Sequence, residues 1–230
     1  MTYRHDSDII NRFPFGSMSP TKKKQAHYGF APSNSELLKS SFNRKKKFMA
    51  YMKTGECGDP DLADSILAEL GKYIKIDIYD KCKKKTNCGT EDECNKMMRM
   101  DYKFVLAVEP SLCPDYVGDQ LYNKLLTGAI PVIYGQKDYG AFAPPNSFIN
   151  AADFDSFQEI AEYLMMIGSK EGLYIKYLAW TRDYEIDRWP RTGWCQLCEK
   201  LNQAVTPQVY SDISSWWVDN AFCGLAHPHL

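Results

Sequence analysis

Two short apolar runs on either side of an amphipathic segment form the clearest pattern in the chain. The runs are Lys103 to Val108 and Ala129 to Tyr134, and between them the apolar residues of Tyr116 to Thr127 recur at helical spacing. This pattern predicts a strand, a helix and a second, parallel strand joined by a right-handed crossover. Gly128 follows the predicted helix, where a residue with positive φ commonly ends a helix, and Pro131 is compatible with the start of a strand.

A second unit of the same kind is predicted upstream. Lys46 to Met52 is a candidate strand, Asp59-Pro60 is a candidate helix N-terminus, and Ile74 to Tyr79 is the next candidate strand. The helix between them is predicted from apolar residues at helical spacing, namely Leu62, Ile66, Leu67 and Leu70.

A further helix is predicted downstream. Ser156 and Glu159 form a capping-box pattern, and Gly168 is the predicted stop. The apolar face of this helix is predicted to contain Phe157, Ile160, Ala161, Leu164 and Met165. Together these units predict an α/β fold, a Rossmann-like parallel sheet with flanking helices.

The two ends of the chain are more polar than its centre. Ser17 to Asn43 is rich in Ser, Lys and Pro without a sustained period, which predicts a surface linker or loop. We therefore divide the chain into an N-terminal segment and linker (1–44), a Rossmann-like domain (45–201) and a C-terminal packing tail (202–230). Trp216 and Trp217 in the tail are expected to lie back over the body of the domain.

Composition limits the class of protein. The chain has 230 residues, 44% of them hydrophobic, which is enough to bury a substantial core. The 28 basic and 29 acidic residues nearly balance, so no global field favours nucleic acid. No window reaches the roughly 20 apolar residues of a membrane span, and the N-terminus has no signal pattern.

Eight cysteines are many for a reduced cytosolic protein. Their even number favours a disulfide-containing domain of the secretory pathway, and the missing signal then implies an upstream piece. Lys81 to Asn95 is predicted as a charged loop in which Cys82 pairs with Cys88 or Cys94, with a zinc site as the alternative. The lone CxxC of Cys195 and Cys198 favours a structural disulfide over a redox centre.

A candidate site follows from the central unit. Ligands of such units lie beyond the carboxyl ends of the strands, where Glu109 to Gly118 falls. Backbone amides near Gly118, at the start of the predicted helix, can bind an anion such as a diphosphate. Asp6 and Asp8 form a DxD pattern, but two carboxylates fall short of the about six oxygens that a hard cation requires, so no metal is assigned.

The central stretch, VEPSLCPDYVGDQLYNKLLTGAIPVIYG, resembles the nucleotide-sugar signature of the α1,3-fucosyltransferase family, roughly FENSxxxDYxTEKLxxAxxxGxVPVxxG. The matching residues, without a gap, are Glu109, Ser111, Asp115, Tyr116, Leu121, Gly128, Pro131, Val132 and Gly135. Weaker matches cover Met1 to Gly16, Ile76 to Cys82 and Phe142 to Ile149. The resemblance implies the C-terminal, donor-binding half of an inverting GT-B enzyme that moves fucose from GDP-fucose to a glycan.

The resemblance also implies a set of GDP-fucose-binding residues, Tyr3, Arg4, Glu109, Ser111, Tyr116, Asp119 and Gln120. It places the catalytic base in the family's first domain, so no base is assigned here, and it implies no essential metal or other cofactor. The acceptor would be the glycan of a glycoprotein or glycolipid. The protein would work on the lumenal side of the Golgi membrane, attached only through an upstream anchor. In the family, Cys195 and Cys198 pair with first-domain cysteines, so in this chain they would be left unpaired.

This sequence departs from the family pattern where the family contacts the diphosphate. Gln120 stands where the family has lysine, Ala63 where it has arginine, Asp119 where it has glutamate and Pro110 where it has asparagine. Replacing a charge-assisted hydrogen bond by a neutral one costs about 1 kcal/mol or more. Two lysines, Lys53 and Lys137, are candidate substitutes. The alternative function is a degenerate family member that binds a nucleotide or a protein partner without catalysis.

Overall fold

A computed structural model describes residues 2–11, 16–21, 35–53, 62–80, 88, 90–135, 138–187, 193–203 and 209–223. The strands are β1 (Ser17–Pro20), β2 (Lys47–Lys53), β3 (Ile76–Asp80), β4 (Tyr102–Val108), β5 (Ile130–Tyr134), β6 (Ile149–Asn150) and β7 (Tyr184–Asp187). The helices are α1 (Ser35–Arg44), α2 (Leu62–Leu70), α3 (Glu91–Asp101), α4 (Asp119–Leu125), α5 (Phe157–Ser169), α6 (Glu171–Lys176), α7 (Trp194–Leu201) and α8 (Ile213–Trp217). The predicted helix start at Asp59-Pro60, together with Cys82 and Lys137, lies outside the described residues.

Five strands form one parallel sheet in the order β3-β2-β4-β5-β6, which confirms the predicted α/β class. The chain passes from β2 to β3 on one side and then places β4 on the other side of β2. The direction of winding therefore reverses between β2 and β4. Open α/β sheets bind ligands at such a reversal, outside the carboxyl ends of the strands. A separate antiparallel pair joins β1 to β7.

The central strand β4 is covered on both faces. Phe104 and Leu106 belong to one apolar cluster, and Val105 and Ala107 lie in the clusters on the opposite face. This alternation follows from the two-residue period of a strand, and burial on both faces explains why β4 is a continuous apolar run. Fully burying a side chain such as Phe104 contributes about 1.5–3 kcal/mol.

The helix α2 forms as predicted, and three of its four predicted core residues are buried. Ile66, Leu67 and Leu70 are buried, whereas Leu62 is 39% exposed and Ala63 is buried in its place. The position that the family pattern assigns to a phosphate-facing arginine is therefore a core position here. An arginine at residue 63 would bury its charge against apolar neighbours.

The helix α5 is also confirmed, with differences in detail. Ser156 caps it by accepting from the Glu159 N–H at 3.2 Å, while the Glu159 carboxylate accepts from the Asp155 N–H at 2.9 Å. Met165 is 46% exposed, so its predicted core position is wrong. Gly168 lies inside the helix, where it lets β4 approach closely.

The predicted linker over Ser17 to Asn43 is wrong where the structure describes it. β1 and α1 form within it, and α1 buries Leu38 while Phe42 packs 5.3 Å from the Tyr174 ring. Two apolar anchors one helical turn apart are enough, because α1 packs against α6 and α3. Tertiary packing of this kind, more than helix propensity, stabilises such a helix.

The predicted loop over Lys81 to Asn95 is wrong at its C-terminal end. The helix α3 begins there, behind a complete capping box between Thr90 and Glu93. Cys94 and Met98, one turn apart, are buried on its inner face.

The central helix is shorter than its pattern predicts. α4 begins at Asp119 rather than Tyr116, because Asp115 adopts a φ of 64° and Gly118 is extended, which interrupts the helical path. The helix is capped at Leu126, and Gly128 has a positive φ of 70°, as predicted.

Two disulfides occur in the described part of the chain. Cys88 pairs with Cys94, so the predicted pairing of Cys82 with either of them is wrong. Cys113 pairs with Cys223, which the sequence analysis did not predict. Cys195 and Cys198, at the start of α7, are exposed and free. Among the described helices, none is long and apolar enough to cross a membrane.

Candidate functional site

The candidate site lies at the carboxyl ends of β2 and β4. Tyr51 pairs with Leu106, and both strands end two residues later, so their carboxyl ends are level. Lys53 is the last residue of β2, and Glu109 directly follows β4. The Glu109 N–H donates to the Tyr134 carbonyl at 2.8 Å and so extends the ladder by one bond.

Glu109 is fully buried at this edge. Its Oε2 atom accepts from the Gly118 N–H at 3.1 Å, and its Oε1 atom has no hydrogen-bond partner among the described residues. Burial raises the pKa of Glu109 to about 8, opposed by the Gly118 N–H and assisted by the nearby charge of Asp119. The carboxyl is therefore mostly protonated at neutral pH.

The contact between Glu109 and Gly118 corrects one sequence prediction. The Gly118 amide, expected to be available to a diphosphate, already binds the Glu109 carboxyl. Glu109 itself has no exposed surface, so it holds the loop that follows β4 and does not present an open ligand contact.

Two glycines make room for this carboxyl. A Cβ at Gly118 would lie 2.5 Å from Glu109 Oε2. A Cβ at Gly135 would lie 2.7 Å from Glu109 Cγ and 2.0 Å from the Tyr139 hydroxyl. Neither position accepts a side chain without displacing a buried neighbour.

Three aromatic rings from distant parts of the chain meet above the loop. The Tyr3 ring lies 5.3 Å from the Tyr116 ring and 5.6 Å from the Trp217 ring, with edge-to-face geometry in both pairs. Burial raises the pKa of Tyr116 to about 12, with a further contribution from Glu109. Tyr3 and Tyr116, which the sequence analysis assigned to one site, are therefore in contact.

Arg4 is buried and internally paired. Its guanidinium donates to both Asp6 oxygens, at 2.8 and 2.7 Å, and to the Trp216 carbonyl, and it lies 4.6 Å from the centre of the Trp216 ring. The hydrogen bond from Arg4 lowers the pKa of Asp6. Arg4 thus lies beside the candidate site, but its charge is matched within the chain.

The carboxylates of the DxD pattern are both engaged. Asp8 accepts from Lys200 and, at 3.2 Å, from the Tyr210 hydroxyl, and Asp6 accepts from Arg4 and from the Trp216 indole N–H. No group of three or more metal-ligating side chains occurs among the residues that the structure describes.

The N-terminal segment and the tail are tied to the loop by contacts that the sequence analysis missed. The His5 N–H donates to Asp115 at 3.0 Å, and the His5 ring stacks on Phe142 at 5.6 Å. The Cys113–Cys223 disulfide joins the loop to the tail across 110 residues. An even cysteine count was the available signal, but it carries no information on connectivity.

The remaining predicted residues lie around the first turn of α4. Asp119 is exposed and Gln120 is half-buried, and the Gln120 amide donates to Asp119 at 3.4 Å. Ser111 is half-buried in the loop, and Pro110 is exposed.

A cation lies across the edge of the sheet from these residues. The Lys53 ammonium pairs with Asp64 at 2.7 Å, and the Lys53 side chain is 12% exposed. Both residues line a cavity of about 660 Å³ along β2 and β3. Lys53 lies at the carboxyl end of β2, one of the two strands that flank the reversal, and is a candidate diphosphate cation; the cavity that it lines lies on the other side of β2 from the reversal.

Residues 42–216 match the family described as glycosyltransferase family 10 (fucosyltransferase), C-terminal region. The chain is 29% identical to alpha-(1,3)-fucosyltransferase C of Drosophila melanogaster, over 96% of this chain and 53% of the relative. It is 31% identical to glycoprotein 3-alpha-L-fucosyltransferase A of the same organism, over 96% of this chain and 43% of the relative. It is also 31% identical to human 4-galactosyl-N-acetylglucosaminide 3-alpha-L-fucosyltransferase FUT5, over 94% of this chain and 54% of the relative.

The chain therefore spans about half the length of the curated relatives it matches. A solved structure described as alpha1,3-fucosyltransferase with GDP-fucose superposes with a TM-score of 0.54 at 17% identity, covering 72% of this chain and 50% of that one. At this identity the likeness supports the fold.

The family match covers most of the chain and includes the loop, β4, β5 and α4. The chain belongs to glycosyltransferase family 10, the fucosyltransferases, and carries the C-terminal region of that family.

Proposed function

We propose that this chain is the donor-binding half of a transferase that moves fucose from GDP-fucose to a glycan hydroxyl, in α1,3 linkage with inversion. One observation carries the proposal: the family region coincides with a parallel sheet whose order reverses between β2 and β4, and the best-matched signature forms the loop at that reversal. The relatives described above are named as fucosyltransferases, which supports the proposal.

In such a transfer an acceptor oxygen attacks C1 of fucose, the bond from C1 to the phosphate oxygen breaks, and GDP leaves as an anion. The charge that grows on the diphosphate needs nearby donors and cations. Lys53, at the carboxyl end of β2, would supply a cation. Tyr3 and Tyr116 would supply an aromatic surface beside the donor, and Glu109 would keep the loop in place. No residue of this chain is assigned as the base.

The assignment of donor contacts differs in one respect from the family pattern. Residue 63 faces the core, so no cation at that position would reach a ligand. On the first turn of α4, Asp119 would accept hydrogen bonds from the donor's sugar hydroxyls, and the Gln120 amide would donate to the phosphates. The Ser111 hydroxyl would also donate a hydrogen bond to the donor. Arg4 would contribute indirectly, because it holds the N-terminal segment against Trp216.

A second candidate is a family member that binds nucleotide without turnover. The observation that favours it is the composition of the first turn of α4, where Asp119 and Gln120 supply no cation although the family pattern has a lysine at the position of Gln120. Binding of GDP without transfer by the full-length gene product would support this second candidate.

We propose further that transfer does not depend on a divalent metal, since Asp6 and Asp8 bind cationic and hydrogen-bonding side chains of the chain itself. We also place the protein in the Golgi lumen with a glycoprotein or glycolipid glycan as acceptor and with membrane attachment through an N-terminal anchor. The two disulfides support an oxidising compartment.

A mass-shift assay of the full-length gene product with GDP-fucose and glycan acceptors tests the proposal. Addition of one fucose per acceptor, retained in the presence of a chelator, is the expected result. Absence of transfer with every acceptor class would reject the enzyme and leave the nucleotide-binding alternative. Loss of transfer on chelation would reject the metal-independent mechanism.

A further inference from the structure

A second cavity opens on the same edge of the sheet, past the ends of β5 and β6. Its volume is about 460 Å³, within the range of cavities that bind small ligands. Its polar lining includes Asp138, Asn146, Asn150, Asp153, Tyr163 and Tyr177. None of these residues belongs to the donor contacts proposed above.

Aromatic rings form two walls of this cavity. On one side the Phe154 ring lies 5.2 Å from the Tyr163 ring, and the Tyr163 and Tyr177 hydroxyls are hydrogen-bonded at 2.7 Å. On the other side the Tyr139 ring lies 5.4 Å from the Phe148 ring. The rings are inclined to each other by 55° in the first pair and by 70° in the second, so the cavity offers separate ring faces. A single ring face suits the apolar face of a ligand with polar edges, such as a sugar ring.

The polar groups of the cavity are of mixed type. The carboxylates of Asp138 and Asp153 can only accept hydrogen bonds, whereas the asparagine amides and the tyrosine hydroxyls can also donate. Of the two hydroxyl protons of Tyr163 and Tyr177, their mutual bond uses one. A ligand rich in hydroxyl groups satisfies both types, whereas an organic cation would leave the donors unmatched.

The cavity adjoins the candidate donor site through one residue. Tyr139 lines the cavity, and its hydroxyl and the Glu109 side chain both lie against Gly135. Tyr139 therefore connects the lining of the cavity to Gly135, the residue after β5, against which Glu109 also packs.

We propose that this cavity binds a sugar residue of the acceptor glycan, with its ring against Phe154 and Tyr163 and its hydroxyls donating to Asp153 and Asp138. The inference rests on the proposed glycan-directed function. It assigns part of the acceptor recognition to the donor-binding half of the protein.

The test is amide chemical-shift mapping of the full chain with N-acetyllactosamine, chosen because a relative is named for a galactosyl-N-acetylglucosaminide acceptor. The expected result is saturable shifts at Asn146, Asn150 and Asp153. The variant Asp153→Asn should weaken binding by about tenfold, as loss of a charge-assisted hydrogen bond implies. Met165→Ala, at an exposed position on α5 away from the cavity, should not change it.

Two parallel titrations separate the possible failures. GDP binding without sugar shifts at the cavity would overturn this inference alone, whereas absence of GDP binding would overturn the donor-site proposal. Choline that shifts the cavity amides in place of the sugar would also overturn the inference. Because the wild-type chain already reports the shifts, the test does not depend on the variant's folding.

Discussion

The Gly118 N–H donates a hydrogen bond of 3.1 Å to a Glu109 carboxyl that has no exposed surface. This bond joins the residue after β4 to the residue before α4, and so fixes the ten-residue loop that carries Ser111 and Tyr116. The loop's shape is therefore set from beneath by a buried acid, while the N-terminal segment and the tail contact its other side.

The first prediction concerns space at Gly118. Gly118→Ala would place a Cβ 2.5 Å from Glu109 Oε2, so the carboxyl must move. We expect a loss of about 1–3 kcal/mol in the free energy of unfolding, as for other overpacked sites, measured by urea denaturation. Gly172→Ala in α6, where a Cβ meets nothing within 4 Å, is the control. It should be neutral or stabilising, and equal effects of the two variants would contradict the account.

The second prediction concerns the pH dependence of stability. The pKa of Glu109 is raised from 4.5 to about 8 in the folded chain, so between these values the folded state binds more protons than the unfolded state. The stabilisation of the folded state that the raised pKa of Glu109 provides is therefore fully present below pH 4.5. It is lost as the pH rises through about 8.

Glu109→Gln should remove this loss, since an amide does not ionise. The difference in unfolding free energy between the variant and the wild type should become more favourable to the variant as the pH rises from about 5 to about 8. Glu162→Gln on the exposed side of α5 is the matched control. A pH-independent difference for Glu109→Gln would show that the carboxyl is already ionised at low pH.

The third prediction concerns the tail. Replacing Cys113 and Cys223 together by alanine removes a cross-link over 110 residues, which should lower stability by about 2–4 kcal/mol. It should also loosen the tail and so weaken the contact of Trp217 with Tyr3, while the bonds of Arg4 and Asp6 to Trp216 remain. Replacing the exposed, free pair Cys195 and Cys198 should change neither property. Denaturant unfolding and tryptophan fluorescence measure both effects, and equal stability of the two double variants would contradict this role of the disulfide.

The fourth prediction concerns Lys53. If this lysine offsets the charge of the diphosphate, Lys53→Met should weaken GDP binding by about tenfold or more, and the salt dependence of binding should fall. Lys72→Met, which removes an exposed lysine paired with Glu69, should have no effect. Calorimetry measures both. Unchanged GDP affinity in Lys53→Met would show that Lys53 does not offset the charge of the diphosphate.

The fifth prediction distinguishes an enzyme from a nucleotide-binding relative. Gln120→Lys restores the cation of the family pattern on the first turn of α4 and should strengthen GDP binding by a few-fold, or about 1 kcal/mol. Gln158→Lys makes the same change at an exposed position of α5. Transfer that appears only in Gln120→Lys would identify the natural chain as degenerate. Transfer by both the natural chain and the variant would identify it as an enzyme.

The sheet was predictable because its central strands are buried on both faces and therefore read as continuous apolar runs. The helices α1 and α3 were not, since each has few apolar residues within a charged or polar segment: Leu38 and Phe42 in the core of α1, and Cys94, Met97 and Met98 in that of α3. Thr90 and Glu93 gave a capping-box signal for α3 that could have been used.

The candidate site was predictable only in part. The resemblance assigned Tyr3 and Tyr116 to one site, but the sequence cannot show that Arg4 is paired with Asp6 or that Glu109 is buried. The environment of Arg4 depends on where the C-terminal tail packs against the N-terminal segment. A disulfide such as Cys113–Cys223 connects residues that are too distant in sequence for any local pattern to predict.

The most direct test of the donor site is amide chemical-shift mapping of the chain with GDP. The account predicts saturable shifts concentrated at Lys53, Ser111, Tyr116 and Gln120, on the carboxyl edge of the sheet. Absence of binding, or shifts concentrated at Lys47 and Lys103 on the opposite edge, would contradict it.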